Sequence, residues 1–165
     1  MAYRLYSFVN HLYMSPIQWG IQTAHCVSTM MNNAAETKDE DPLSYAAVHK
    51  WAAQEPTIIV CQGGNAAMLT DLYVKLVPLA ARLGHPIVKF HEDEQSLGGV
   101  ITAVAVLVPD FLYNCQVVEY DRTTNLPRFK RPVPVDALDV DHPQYYTFTQ
   151  DEYEFLLIVK TARLA

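Results

Sequence analysis

Residues 56–91, PTIIVCQGGNAAMLTDLYVKLVPLAARLGHPIVKFH, decide the fold. Pro56 introduces Thr57–Cys61, a continuous apolar run of the kind a strand covered on both faces requires. Gln62–Asn65 turns the chain, and Asn65 is placed to cap a helix. That helix carries Leu69, Leu72, Tyr73, Leu76, Ala80 and Leu83 on one side and stops at Gly84. Pro78 is expected to kink it or end its regular part. Ile87–His91 is the next strand, so the stretch reads as a strand, a helix and a strand.

Upstream, Tyr3–Val9 alternates aromatic and polar residues and reads as a first strand. Ser15 and Pro16 form a helix start, a capping hydroxyl followed by proline at the first helical position. This helix should run to about Met31, burying the stripe Ile17, Ile21, Ala24 and Met31. Asn32–Pro42 is a polar connection, and Leu43–Ala53 forms a short helix presenting Val48 and Trp51. Downstream, Glu92–Gly99 is an acidic loop. Val100–Val108, rich in β-branched residues, is a strand close enough to Ile87–His91 to pair with it antiparallel.

Beyond Pro109, Gln116–Tyr120, a turn at Asp121–Asn125 and Phe129–Val135 suit a hairpin whose prolines mark an edge. Thr149–Glu152 is a capping box opening a last helix, with Leu156, Leu157, Ile158 and Val159 to pack on the body. The order predicts an α/β three-layer sandwich. Its four-stranded sheet is mixed and mainly parallel, with helices on both faces, followed by a C-terminal hairpin and helix. Residues 1–165 form one domain, a core over 1–109 with an extension over 110–165 packed on it.

Half of the 165 residues are apolar and 18% are charged, which excludes a disordered chain. No apolar run reaches the roughly 18 residues that cross a bilayer. The N-terminus lacks the apolar stretch and cleavage site of a signal peptide. A cytoplasmic protein without membrane contact is expected. Cys26, Cys61 and Cys115 have neither metal-ligand spacing nor a disulfide framework, and read as buried reduced thiols. Cys26 is the alternative nucleophile, but it points about 100° away from His25 on a helix and cannot pair with it simply. The net charge of −6 disfavours a broad nucleic-acid grip and leaves a local patch or a short ligand. No metal and no cofactor are expected.

Three features could carry chemistry. Gln18, Gln22, His25 and Thr29 form one polar stripe along the first helix, uncharged and so suited to a ligand. A packed amphipathic helix with a satisfied histidine accounts for the same residues. Gly20 costs about 1 kcal/mol relative to alanine, as though a neighbour came close, and the amides near Ser15–Ile17 offer an anion site. His91–Ser96, HEDEQS, ends a strand, where ligands of open α/β sheets bind. Its carboxylates could bind a metal, act as a base or be solvated. Arg122–Arg131 holds four of the twelve basic residues, with Arg128, Lys130 and Arg131 around Phe129. It suits phosphate contact and base stacking, or a solvated hairpin.

Leu12–His25, LYMSPIQWGIQTAH, resembles the motif that opens the first helix of type II peptidyl-tRNA hydrolases. Met14, Ser15, Gln22 and His25 match in order and spacing. Trp51, the strand at Thr57–Cys61, Leu83–Gly84, the strand running to Asp93, and Thr102 before Ala103–Pro109 follow the layout, so the resemblance covers Tyr3–Pro109. It implies catalytic roles for His25, Asp93 and Thr102, and ligand contacts from Ser15, Gln18, Gln22 and Ser96. The expected ligand is tRNA or a small nucleotide, and a homodimer is compatible. His25 should lie across one cleft from the Asp93–Ser96 loop. Two motif lysines fall on Pro16 and Gln18, Glu92 lies one register from the matched acid, and Glu94–Gln95–Ser96 replaces a glycine-threonine turn. The resemblance therefore implies an RNA-end or nucleotide binder whose hydrolysis of the peptidyl-tRNA ester is weakened by the missing lysine. The alternative is a non-enzymatic protein, of viral kind, that sequesters a small nucleotide or binds a protein through the repurposed pocket.

Overall fold

A computed structural model describes residues 1–130 and 148–165. The elements in order are β1 (Tyr3–Asn10), α1 (Pro16–Glu36), α2 (Pro42–Gln54), β2 (Ile58–Gly64), α3 (Ala66–Leu83), β3 (Ile87–His91) and α4 (Glu94–Leu97). They continue with β4 (Ile101–Pro109), α5 (Asp110–Tyr113), β5 (Gln116–Tyr120), β6 (Pro127–Lys130) and α6 (Gln150–Thr161).

The main sheet has the order β2-β1-β4-β3. Strand β1 pairs parallel with β2, and β4 pairs antiparallel with both β1 and β3. Three strands therefore run one way, as the mainly parallel expectation has it. Because β4 is inserted between β1 and β3, however, only one of the three ladders is parallel. The central place of β4 also explains why every residue from Ile101 to Pro109 is buried.

Alternate residues of the sheet feed two cores. Tyr6, Phe8, Val104, Val106 and Val108 pack with Leu69, Leu76 and Ala80 of α3 and with Phe155, Leu156 and Val159 of α6. Leu5, Ala103, Ala105 and Leu107 pack with Cys26, Met30 and Ala34 of α1 and with Val48 and Trp51 of α2. Helices thus cover both faces, and α6 rests on α3 as its apolar run predicts. The local signals hold: Ser15, Asn65 and Thr149 cap α1, α3 and α6, the last with a full capping box. Gly84 ends α3 at φ +69, the left-handed conformation glycine adopts freely. Helix α3 continues through Pro78 to Leu83. Strands β5 and β6 form the expected hairpin, whose continuation over 131–135 lies outside the described residues. No helix among the described residues is long and apolar enough to cross a membrane.

Helix α1 departs from expectation. It runs five residues past Met31, and its buried positions are Gln22, Thr23, Cys26, Met30 and Ala34. Ile17 is 77% exposed, Ile21 is 48% exposed and Ala24 is exposed. Only Met31 of the expected stripe packs, in part, against the core. The polar residues can sit inside because they are paired: Thr23 and Ser7 share a hydroxyl hydrogen bond of 2.9 Å across the layer. Gly20 has no heavy atom within 4 Å of where a Cβ would lie, so no neighbour within the described fold accounts for it.

Candidate functional site

The carboxyl ends of β1 and β3 come together with the amino end of β4 at one edge of the sheet. Register shifts fall there in two ladders, between Val9 and Asn10 and between Phe90 and His91. Such bulges re-aim the side chains that follow them. Gly63 lets the end of β2 come close, since a Cβ there would lie 2.9 Å from the Val9 carbonyl. Asn10, buried, fastens the corner by donating to the Ile101 carbonyl at 2.9 Å and accepting from the Leu12 amide at 2.9 Å.

Across this corner α1 and the loop after β3 are joined by one network. Gln22 donates from Nε2 to Glu92 Oε1 at 2.8 Å and accepts at Oε1 from the Thr102 hydroxyl at 2.7 Å. The Tyr13 hydroxyl donates to the same Glu92 oxygen at 2.9 Å. Tyr13 is itself held by its carbonyl, which accepts from Trp19 Nε1 at 2.6 Å. Burial, aided by the hydrogen bond and charge of Glu92, pushes the Tyr13 phenol up to about 12. At neutral pH it is therefore a donor and not a base. Glu92 Oε2 receives no hydrogen bond from the described residues and remains available as an acceptor.

Gln22 and Thr102 are thus in direct contact, as members of one site. The carboxylate that joins them is Glu92, one residue before the matched Asp93. Asp93 instead caps α4, accepting from the Ser96 amide at 2.6 Å and the Ser96 hydroxyl at 2.8 Å. Those bonds hold its carboxyl below the usual carboxylate range. His25 is exposed and stacks flat on Phe90 of β3, with ring centres 4.3 Å apart and planes within 6°. The Ser15 hydroxyl accepts from the Gln18 amide at 3.2 Å, and the Gln18 side chain is exposed.

The hairpin stands apart from this network. Arg128 pairs with Glu119 at 3.0 Å and Asp121 at 3.4 Å, so its charge is largely met within the hairpin. Arg131 and the side chain of Lys130 lie outside the described residues. Burial pushes the Cys26 thiol to about 12, which removes the reactive thiolate at neutral pH. Among the described residues no group of three or more His, Cys, Asp or Glu side chains is placed to hold a metal.

The electrostatics follow from composition. Residues 5–37 and 90–109, which build this corner, contain neither lysine nor arginine. Gln22 and Thr102 are buried and bonded to each other, and the Tyr13 hydroxyl is spent on Glu92, so the group left to meet a ligand is the Glu92 carboxylate, which suits hydroxyl or amine donors better than phosphate. Sequence reading missed Tyr13 and Asn10. The signal was thin: two polar residues within the short loop Asn10–Met14, with partners about 80 to 90 residues away. No protein-family model matches the chain, and no curated protein matches it.

Proposed function

We propose that the chain is a peptidyl-tRNA hydrolase-like protein whose cleft binds the ribose end of an RNA or a nucleotide. The observation that carries this reading is the Glu92–Gln22–Thr102 network at the carboxyl ends of β1 and β3, in a corner without lysine or arginine. A carboxylate at this place in an open α/β sheet is suited to accept from ribose hydroxyls. Glu92 Oε2 supplies the acceptor, and Gln22 and Tyr13 keep the carboxylate oriented.

The same inventory sets the activity. Ester hydrolysis develops negative charge on the carbonyl oxygen, and a cation or a preorganised donor must meet it. Gln18 stands where the resembling motif has a lysine and brings no charge. Hydrolysis of peptidyl-tRNA is therefore slow, and Gln18→Lys raises it.

The non-enzymatic reading has its own support. Both ends of the Gln22 amide and both oxygens of Asp93 are committed to internal hydrogen bonds, which favours a rigid binding surface over a proton-transfer site. Calorimetric titration with adenosine, AMP and deacylated tRNA, with Glu92→Gln in parallel, tests both. The expected outcome is that adenosine and AMP bind within a few-fold of each other and that Glu92→Gln weakens both at least tenfold. Binding that needs the phosphate and ignores Glu92→Gln would overturn the site. Turnover of peptidyl-tRNA by the unmodified chain separates enzyme from binder.

A further inference from the structure

The end of β1 opposite the candidate cleft gathers hydrogen-bond donors that have no acceptor. Tyr6 packs on the α6 side of the sheet, and Arg4, two residues before it, lies on the same side of the strand. The Arg4 guanidinium sits over the Tyr113 ring, 4.2 Å from its centre. Lys160, in the last turn of α6, donates from Nζ to the Tyr113 carbonyl at 2.5 Å. Tyr113, the last residue of α5, is thus held by cations from two other elements.

Neither cation is neutralised. Among the described residues no carboxylate lies within ion-pair distance of Arg4 or Lys160. Asp110, which opens α5, is committed elsewhere: Oδ2 accepts from the Ala2 amide at 2.9 Å and Oδ1 from the Phe111 amide at 2.8 Å. Burial lowers the pKa of the Lys160 ammonium, Cys115 opposes that and Arg4 adds to it, so the two cations are close enough to repel each other. An anion between them relieves both effects.

Two phenols complete the cluster. Tyr6 is 7% exposed and Tyr113 is 8% exposed, and among the described residues neither hydroxyl has a hydrogen-bond partner. Burial raises the pKa of the Tyr6 phenol, Arg4 opposes that, and Cys61 and Tyr113 add to it, which keeps it a donor at neutral pH beside Arg4. The stacking of Arg4 and the place of Lys160 at a helix C-terminus account for each cation singly. They leave two nearly buried hydroxyls without an acceptor, an arrangement that costs free energy until one is supplied.

We infer that Arg4, Lys160, Tyr6 and Tyr113 form a binding site for a phosphate group, at the opposite end of β1 from Glu92. The two positive charges match a phosphate dianion, and the guanidinium, ammonium and phenols supply donors to its oxygens. A carboxylate, with one negative charge, leaves one cation uncompensated.

A nitrogen-15 NMR titration of the full chain with inorganic phosphate, at constant pH and ionic strength, tests this. The amide shifts should saturate with a dissociation constant of about 1 mM and centre on residues 4, 6, 113 and 160. Lys160→Met should weaken binding about tenfold and Tyr6→Phe about threefold. Tyr6→Phe keeps the ring in the core and removes only an unpartnered hydroxyl, so its urea midpoint should not fall. It carries the test if Lys160→Met does not fold. Acetate at the same ionic strength should move these amides little. Glycerol 3-phosphate binding as tightly as the free ion would identify a phosphate monoester as the occupant, and binding of inorganic phosphate alone would identify the free ion. Shifts that do not saturate by about 20 mM, or that centre elsewhere, overturn the inference. So does binding left unchanged by either substitution, or matched by acetate.

Discussion

Helices α1 and α3 cover opposite faces of the same sheet and dispose of their apolar residues in opposite ways. In α3 the apolar stripe is the core: Leu69, Leu76, Leu79 and Ala80 are buried, and Leu72, Tyr73 and Leu83 pack beside them. In α1 Ile17, Ile21 and Ala24 face out, while Gln22 and Thr23 go in beside Cys26, Met30 and Ala34. The two layers are held by different physics. The α3 side rests on area removed from water, about 25 cal/mol per Å². The α1 side adds polar groups that cost nothing to bury only because each finds its partner, Gln22 with Thr102 and Glu92, and Thr23 with Ser7. Polarity alone therefore does not tell which face of a helix is inside.

The largest test of that contrast is truncation. Leu76→Ala on α3 should cost about 2–5 kcal/mol in urea denaturation, because it leaves a cavity in a fully buried site. Ile21→Ala on α1 should stay within about 0.5 kcal/mol. Equal costs would mean that Ile21 is a core residue and that the contrast is wrong.

A smaller effect is expected from the polar pairs. Gln22→Ala should destabilise by about 1–3 kcal/mol, since it strands the buried Thr102 hydroxyl and one donor to Glu92. Adding Thr102→Val should then cost less than the two single changes summed. Strict additivity in that double-mutant cycle would show that the two side chains do not depend on each other.

A comparable effect, this one set by pH, belongs to the α3 side, where one polar atom among the described residues is buried unpaired. His85 Nε2 is buried without a hydrogen-bond partner, and its ring packs against Phe155 of α6 at 5.1 Å. Burial lowers its pKa to about 4, against a partial pull upward from a backbone hydrogen bond at Gly84 and from the charge of Glu152. The folded chain keeps the ring neutral, while the unfolded chain takes up a proton below about pH 6.5. The stability tied to this group is therefore complete above pH 6.5 and falls as pH drops towards 4, by about 2 kcal/mol after allowance for partial exposure. His85→Phe should flatten that stretch of a stability–pH curve. An unchanged slope would mean that other groups govern it.

The candidate site was legible in outline. The expected facing of α1 and the loop at His91–Ser96 is seen, through Gln22 and Glu92, whereas the contact of Gln22 with Thr102 was not foreseen. The identity of the acid was not readable. Glu92 and Asp93 are adjacent carboxylates, and the bulge after Phe90 together with the four-residue α4 decides which turns to Gln22 and which caps a helix. Tyr13 and Asn10 were unreadable for a related reason: each works through a partner far along the chain.

What the sequence determined by itself was local. Caps at Ser15, Asn65 and Thr149, the stop at Gly84, and the order of strands and helices all follow from interactions within a few residues, whose energies do not depend on the rest of the fold. The tertiary structure alone decided the insertion of β4 between β1 and β3, the orientation of α1 about its own axis, and the carboxylate that Gln22 meets. The first depends on pairing β1 with a strand about 94 to 106 residues away, and the other two on Gln22 meeting groups 70 and 80 residues away. A buried glutamine is penalised or stabilised according to whether such a partner is there, and a periodicity carries no record of the partner.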